Sequence, residues 1–255
     1  MAWEPEEYVR GNYFQSEINE LFRKDLHVKL GGTILDVGCG DGQYTHRLAK
    51  NLKRGHILGI DSSVKMIQHA KEHWVSQNSS FEVHSIEEYQ KPLVFDFVLS
   101  FWCLHWTNIS LSFPNIFAAL KPRGKVYAVF SSFSDNSILH TWRELIKSDK
   151  YNKEIDKYIN LNYSNSSYFY NVINTLNHIP FTHVKLNLKT VRIPLPDIDY
   201  FKSLLLTMPF MKKIPKDLLD EFIEHMLIAF QRICQRQFNG DLYYETRPIF
   251  LEAIK

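Results

Sequence analysis

Short apolar segments alternate with segments of helical periodicity from Thr33 to Phe130. Such alternation is typical of parallel strands joined by crossover helices, because a tight turn cannot link two parallel strands. The predicted strands are Thr33–Val37, His56–Ile60, Ser80–Val83, Phe95–Ser100 and Lys125–Phe130. The predicted helices are Gln43–Asn51, Ser63–Ser76 and Ile109–Leu120, the last ended by Lys121-Pro122-Arg123-Gly124. The chain is therefore expected to be an α/β protein with a doubly wound, mostly parallel sheet.

The pattern changes after Phe130. A segment rich in Asn, Ser and Tyr precedes a strand-like run from Phe181 to Leu188, and long helical patterns follow from Asp199 to Gln237, broken at two prolines. The last segment, from Asp241 to Ile254, alternates like a final strand. We expect two late strands to complete the core sheet, with helical insertions between them that form a cap over the ligand cleft.

Composition excludes several classes of protein. The 255 residues are 45% hydrophobic with a net charge of +2, and Lys and Arg are scattered, so no clustered basic face for nucleic acid is expected. Three cysteines, Cys39, Cys103 and Cys234, are too few and too widely spaced for a disulfide framework or a metal site. The acidic N-terminus and the absence of a long apolar run indicate no signal peptide or membrane anchor. A cytoplasmic protein is expected, and its oligomeric state is not indicated.

The run from Thr33 to Gly42 places a glycine-rich turn between a buried strand and a helix. Gly38 and Gly40 allow the backbone to approach a ligand, and the N-terminus of the following helix is expected to present unpaired N–H groups. A dinucleotide fingerprint would place its third glycine one residue later than Gly42. Asp36 and Asp41 would also repel a pyrophosphate, whereas two carboxylates suit the sulfonium and ammonium groups of S-adenosylmethionine (SAM).

Polar residues end the next two strands. Asp61 ends the second strand, where a carboxylate can accept both ribose hydroxyls of an adenosine, although an N-cap for the helix near Ser63 is the alternative. Ser85 ends the third strand and could accept a hydrogen bond from the adenine amino group, with a plain turn residue as the alternative. Ile86 is then expected to pack on the adenine ring and to offer its backbone N–H.

Four segments together resemble motifs I to V of the class I SAM-dependent methyltransferases: Leu35–Gly42, Gly59–Met66, Phe95–Ser100 and Leu120–Gly124. The resemblance implies a SAM-dependent enzyme with a Rossmann-like, seven-stranded sheet and a helical cap. It divides the chain into a cap segment at 1–30, a SAM-binding core at 31–134, and the remaining core strands with cap insertions at 135–255. The predicted cofactor-binding residues are Asp36, Gly38, Cys39, Gly40, Asp61, Ser62, Met66, Ser85, Ile86, Ser100 and Phe101. Departures from the family pattern are Ser85 for the usual Asp and Arg123 for the usual Gly.

Within that family the chain resembles the branch that contains juvenile hormone acid methyltransferase and trans-aconitate methyltransferase. Three segments carry this resemblance: Tyr8-x-x-x-Asn12-x-x-Gln15, Ser100–Trp106 and Met208–Leu219. It implies methyl transfer to the carboxylate of a small acid, with Gln15 and Trp106 beside the cofactor and the acceptor carboxylate.

The loop after the fourth strand is the expected floor of the acceptor site, because ligands of parallel sheets bind at the carboxyl ends of the strands. Phe101, Trp102, His105 and Trp106 supply aromatic walls and N–H donors, and Gln15 could supply a further donor. A carboxylate acceptor is ionised at neutral pH and needs no base, whereas a neutral acceptor would need one, and His105 is the candidate. The predicted catalytic residues are Gln15, His105 and Trp106. A hydrogen-bonded scaffold residue is the alternative for His105, and core packing is the alternative for Trp102.

Two other functions stay open. A malonyl-carrier-protein methyltransferase would show a basic entrance, for which Lys212, Lys213 and Lys216 are candidates, although a solvated helix end is the simpler explanation. A SAM-binding protein without catalysis is the other. Aromatic residues of the cap hint at an apolar or elongated acid: Tyr163, Tyr168, Phe169, Tyr170, Phe201 and Phe210.

Overall fold

A seven-stranded sheet forms the centre of the computed structural model, which describes residues 13–23, 32–132, 134, 136–147, 151 and 166–255. The strands are β1 Thr33–Val37, β2 His56–Asp61, β3 Ser79–Val83, β4 Phe95–Phe101, β5 Leu120–Phe130, β6 His183–Leu188, β7 Val191–Pro194, β8 Tyr243–Thr246 and β9 Ile249–Ile254. The main sheet has the order β3-β2-β1-β4-β5-β9-β6. Its first five strands are parallel, and β9 runs antiparallel to both of its neighbours.

The helices cover both faces of this sheet. They are α1 Tyr13–Arg23, α2 Gln43–Ala49, α3 Val64–Trp74, α4 Ile109–Ala119, α5 Ser137–Leu145, α6 Ser166–Asn177, α7 Ile198–Thr207 and α8 Lys216–Phe238. Four begin with a side chain that accepts a hydrogen bond from an early backbone N–H, which satisfies a donor that the helix itself cannot pair: Ser63, Asn108, Asn136 and Asp197.

Two apolar clusters lie on opposite faces of the sheet. One joins α1, α2 and the helices that follow β5 and β7, and in it Phe201 of α7 stacks on Phe230 of α8 with ring centroids 3.9 Å apart. The other places Val172 and Leu176 of α6 against Phe113 of α4. Helix α6 therefore packs with the core layer, although it belongs to a segment predicted as cap.

The predicted seven-stranded, mostly parallel sheet is confirmed, with strand bounds that differ by a few residues. One prediction was wrong: the segment Asp241–Ile254 is two strands. β8 pairs with β7 in a separate two-stranded sheet, and only β9 enters the main one. Pro248 separates them, and a residue without an N–H cannot continue a ladder of hydrogen bonds.

The strand order reverses between β1 and β4. The connections that follow these two neighbouring strands leave in opposite directions, so a crevice opens at their carboxyl ends. Val37 and Phe101 end the two strands and mark this crevice. Within the described ranges, no helix has the length and apolar character needed to cross a membrane.

Candidate active site

The turn that follows β1 depends on its glycines. Gly38, Gly40 and Gly42 have φ angles of 73°, 55° and 81°, a region that residues with a Cβ seldom adopt. A Cβ added to Gly38 would lie 2.3 Å from both the Cβ and the Sγ of Cys103. The turn therefore contacts the loop after β4 directly, and no larger residue fits at position 38.

The amide hydrogens of this turn are satisfied within the protein. Gly38 and Cys39 donate to Ile60 O at 2.8 and 3.0 Å, Gly40 to Asp61 Oδ2 at 3.1 Å, Gly42 to Cys39 O at 3.1 Å, and Gln43 to Asp41 Oδ1 at 3.1 Å. The helix after the turn was predicted to present unpaired N–H groups at its start, and this is wrong for its first residue, Gln43, because the Asp41 carboxylate accepts from Gln43 N. Carboxylates of Asp61 and Asp41 accept two of these hydrogen bonds, and their negative charge beside the turn disfavours the pyrophosphate of a dinucleotide.

Three carboxyl groups surround the turn. Asp36 is 2% exposed and accepts a hydrogen bond from Thr45 Oγ1 at 2.6 Å, and burial raises its pKa to about 6. Asp41 is 6% exposed, and burial also raises its pKa. Asp61 accepts hydrogen bonds from Gly40 N and from Ser63 N, and burial raises its pKa as well.

These three carboxyl groups form no ion pair with any Lys or Arg in the described part of the chain. Buried carboxylates without a cationic partner are costly, and a cationic ligand would lower that cost. The alternative reading of Asp61 as the N-cap of α3 was wrong, because Ser63 holds that position and its hydroxyl accepts from Met66 N at 3.4 Å.

The remaining predicted cofactor residues lie around the same strand ends. Ser62 is exposed. Ser85 Oγ accepts a hydrogen bond from Glu87 N at 3.2 Å, a contact typical of a turn residue. Ser100 Oγ donates to Val37 O at 3.0 Å and so ties β4 to β1. The side chains of four residues are almost fully covered by core neighbours: Cys39, Met66, Ile86 and Ser100. Their roles, and those of Gly38, Gly40 and Phe101, stay predictions.

The loop after β4 carries the predicted acceptor residues. Trp102 has a φ of 57°, and its backbone N–H donates to Val129 O at 2.7 Å. His105 Nδ1 accepts a hydrogen bond from Ser131 N at 3.4 Å, and desolvation lowers the pKa of His105 to about 3. The imidazole is therefore neutral near pH 7, with its proton on Nε2. Trp106, at the end of this loop, is 49% exposed.

Helix α1 packs against α2 and against the last residue of β4. Tyr44 of α2 donates from its hydroxyl to Asn19 O at 3.4 Å, and its ring meets that of Phe101 edge-on with centroids 4.9 Å apart. The ring of Phe22 also meets the Phe101 ring edge-on, with centroids 6.2 Å apart. Gln15 is partly buried one helical turn before Asn19, on the same side of α1. The predicted role of Gln15 beside the acceptor stays a prediction.

The positions of three residues near the strand ends were not predicted from the sequence: Asn19, Tyr44 and Tyr168. Asn19 follows Gln15 by four residues and so lies on the same side of the helix, a spacing from which its position near the site could have been predicted. Tyr168 of α6 meets the ring of Phe130, at the carboxyl end of β5, edge-on at 6.4 Å.

The other aromatic residues of the predicted cap differ in burial and in the cluster that they contact. Phe169 packs against the cluster on the α4 side of the sheet, while Phe201 and Phe210 pack in or against the cluster on the other face. Tyr170 is 68% exposed, and Tyr163 lies outside the described residues. Phe201 is fully buried and stacks on Phe230, so it packs in the core, and the expectation of an apolar or elongated acid stays a prediction. Lys212, Lys213 and Lys216 are all exposed. Among the described residues, no group of His, Cys, Asp or Glu side chains could hold a metal ion.

The sequence of this chain is similar to those of known methyltransferases. A family model described as a methyltransferase domain matches residues 34–124. Juvenile hormone acid O-methyltransferase from Bombyx mori is 30% identical over 206 residues, which cover 77% of this chain and 73% of that protein. The Drosophila melanogaster protein of the same name is 26% identical over 206 residues, covering 76% and 69%.

A solved structure supports the fold. Phosphoethanolamine N-methyltransferase 2 from Haemonchus contortus, in complex with S-adenosyl-L-methionine, matches with a TM-score of 0.55 and 19% identity over 94% of this chain. The match spans about half of that longer protein, 52% of its length. Together, the glycine turn, the strand order and these relatives show that the chain belongs to the class I SAM-dependent methyltransferases.

Proposed function

We propose that this enzyme transfers the methyl group of SAM to the carboxylate of a small organic acid and so forms a methyl ester. The observation that carries this proposal is the environment of His105, whose Nδ1 accepts a hydrogen bond from Ser131 N and whose pKa is lowered to about 3 by desolvation, so that its imidazole is neutral near pH 7. The names of the two insect relatives, both juvenile hormone acid O-methyltransferases, point to the same class of acceptor.

The glycine turn fits this cofactor. Asp36 and Asp41 would face the cationic half of the cofactor, and Asp61 would bind the ribose hydroxyls with the lone pairs that Gly40 and Ser63 leave available. Asp36 and Asp41 are buried, Asp61 is partly buried, and none of the three forms an ion pair with a described Lys or Arg, so a cationic ligand would stabilise their ionised form. The remaining contacts would come from side chains and backbone at the strand ends: Gly38, Cys39, Gly40, Ser62, Met66, Ser85, Ile86, Ser100 and Phe101.

When bound, the cofactor supplies a methyl group made electrophilic by its sulfonium. The task that remains for the protein is to align the acceptor oxygen and to exclude water. Phe101, Phe22 and Tyr44 form a packed aromatic wall between α1, α2 and the end of β4 that can shield the cleft on this side.

His105 suits a carboxylate and does not suit a neutral acceptor. A general base works best when its pKa lies near the working pH, and a pKa of about 3 leaves His105 a weak base at neutral pH. A carboxylate needs no base, because it is already ionised. The Nε2–H of His105 can instead orient one carboxylate oxygen while leaving its negative charge in place. Gln15 and Trp106 would act as further donors at the edge of the site.

A second candidate function is esterification of an acid carried on a protein. The exposed Lys212, Lys213 and Lys216 would bind an acidic carrier, and malonyl-[acyl-carrier protein] O-methyltransferase from Bacillus anthracis is 32% identical to this chain over 120 residues. That match covers 46% of this chain, so free small acids remain the first candidates.

The test is incubation with methyl-labelled SAM and a library of free carboxylic acids, phenols and amines, with a malonylated carrier protein as a separate arm. We expect label that is released by mild base from at least one free acid. Base-stable label on a phenol or amine would contradict the proposal, and SAM binding without any transfer would favour a non-catalytic protein. Label on the carrier alone would select the second candidate.

Two variants examine the acceptor site. Gln15→Ala and Trp106→Ala should leave the Kd for SAM unchanged and lower kcat/KM for the acid at least about tenfold. Gln68→Ala is the matched control, since Gln68 is an exposed glutamine on α3 that bonds only to Glu72 among the contacts described. A loss of SAM affinity in the first two variants would place these residues in the cofactor site instead.

A further inference from the structure

Trp102 has an unusual backbone conformation. Its φ of 57° lies in the left-handed region, which bulky residues adopt only when the surrounding structure imposes it. The hydrogen bond from its N–H to Val129 O at 2.7 Å holds the backbone at the ends of β4 and β5. Strained residues of this kind cluster at functional sites, where a side chain must be held in a particular direction.

The side chain of Trp102 also carries a donor without an acceptor. Its Nε1 is buried, and among the described residues no atom accepts a hydrogen bond from it. A buried indole N–H is normally paired, because an unmade hydrogen bond leaves the cost of desolvation uncompensated. The indole N–H of Trp102 is therefore placed to bind an acceptor that is not part of the described protein.

Position separates Trp102 from Trp74 and Tyr89, two other buried side chains with an unpaired polar atom. Trp74, whose Nε1 is also unpaired, ends α3 and packs beside His46. Tyr89, with an unpaired hydroxyl, packs near Phe95 at the opposite end of β4. Trp102 alone of these three directly follows a strand at the crevice where the sheet order reverses.

The neighbours of Trp102 define the ligand chemistry. Its ring is perpendicular to that of His105, with an interplanar angle of 89° and centroids 6.1 Å apart. It also packs against the apolar cluster that includes α1, α7 and α8. His105 is neutral and has its proton on Nε2. Two neutral N–H donors in an aromatic setting can orient an anionic oxygen without forming an ion pair, which leaves its electron density available for reaction.

We propose that Trp102 Nε1–H donates a hydrogen bond to a carboxylate oxygen of the methyl acceptor and is an acceptor-binding residue of this site. This inference rests on the proposed function, because it takes the acceptor to be a carboxylate. It gives Trp102 the direct polar contact in the interior of the site, whereas the more exposed Trp106 lies towards its rim.

The direct test follows the indole resonances by NMR in protein labelled with ¹⁵N-tryptophan. Five tryptophans give five indole signals, and Trp→Phe variants at positions 3, 74, 106 and 142 assign that of Trp102 by elimination even if Trp102→Phe fails to fold. The protein is saturated with S-adenosylhomocysteine and titrated with formate, acetate, benzoate and octanoate. We expect at least one acid to shift the Trp102 indole proton downfield, and no shift with all four acids, or a shift confined to Trp106, overturns the proposal.

A kinetic test uses Trp102→Phe with Trp74→Phe as its matched control, because both remove a buried, unpaired indole N–H. Trp102→Phe should raise KM for the acid about tenfold, the loss expected for a hydrogen bond to a charged group, and leave the Kd for SAM unchanged. Trp74→Phe should change neither quantity. An equal effect of both variants, or an unchanged KM in Trp102→Phe, contradicts the proposal. If the indole shift is present but no acid is methylated, the proposed function fails while the carboxylate contact of Trp102 stands.

Discussion

Cys103 fills the space that a side chain at Gly38 would need, since an ideal Cβ on Gly38 would lie 2.3 Å from both the Cβ and the Sγ of Cys103. The turn after β1 and the loop after β4 are thus in direct contact. Burial raises the pKa of the Cys103 thiol and that of the Cys39 thiol, so neither is a nucleophile at neutral pH. The thiol of Cys103 contributes through packing.

Gly38→Ala should raise the Kd for SAM at least about a hundredfold, because it combines a steric clash with a φ of 73°. Adding Cys103→Gly should recover part of this loss, since it removes the clash and leaves the backbone strain. Gly55→Ala is the control: Gly55 also has a positive φ, of 128°, but lies in the loop before β2. Calorimetry and urea unfolding separate affinity from stability, and equal affinity losses at both glycines would contradict this account.

Asp61→Asn should weaken SAM binding by about a hundredfold while the protein stays folded, because an amide keeps only one oxygen for the two hydroxyls and removes the charge. Asp96→Asn is the matched control. Asp96 is at the amino end of β4, where its carboxylate accepts from Thr33 and Lys121, so its loss should lower stability and spare affinity. Undiminished SAM affinity in Asp61→Asn, measured by calorimetry, would refute the assignment of the ribose site.

The affinity for SAM should fall as the pH drops below about 6, the pKa of Asp36 in the free protein. A cationic ligand binds the ionised carboxylate better, so it lowers this pKa, and the Kd should rise up to about tenfold for each pH unit below it. Thr45→Val removes the hydrogen bond that lowers the pKa of Asp36, so the decline should begin at a higher pH.

Asp36→Asn is the control for this pH dependence. It should bind SAM weakly at every pH and lose the step near pH 6 that is due to Asp36. Asp41 and Asp61 also have pKa values raised by burial, so a residual decline of affinity with falling pH should remain. Calorimetry from about pH 5 to 8 supplies the data. A decline that starts at the same pH in wild type and Thr45→Val would exclude Asp36 as its origin.

At saturating SAM, kcat/KM for the acid should show no His105 titration between about pH 5 and 8, because the pKa of His105 is about 3. His105→Gln keeps an N–H donor but cannot act as a base, so it should retain more activity than His105→Ala at every pH. An inflection near neutral pH that disappears in both variants would identify His105 as a base and would shift the proposed acceptor to a neutral group.

The pattern of amino acids by itself determined the strands of the core, the glycine turn and Asp61. These features are local, because a buried strand, a positive φ and a strand end are each encoded by a few consecutive residues. The late strand was predicted poorly, since its division at Pro248 follows from the pairing of β8 with β7, which are distant in the chain.

Only the tertiary structure decided the chemistry of the site. The glycine turn is evident in the sequence, but its hydrogen-bond partners are not, since Ile60 and Asp61 of β2 accept from its amide groups. The protonation of His105 depends on burial and on Ser131, and the unpaired indole of Trp102 appears only when β4 and β5 lie together. Burial and hydrogen-bond partners arise between segments far apart in the chain, so a linear pattern cannot specify them.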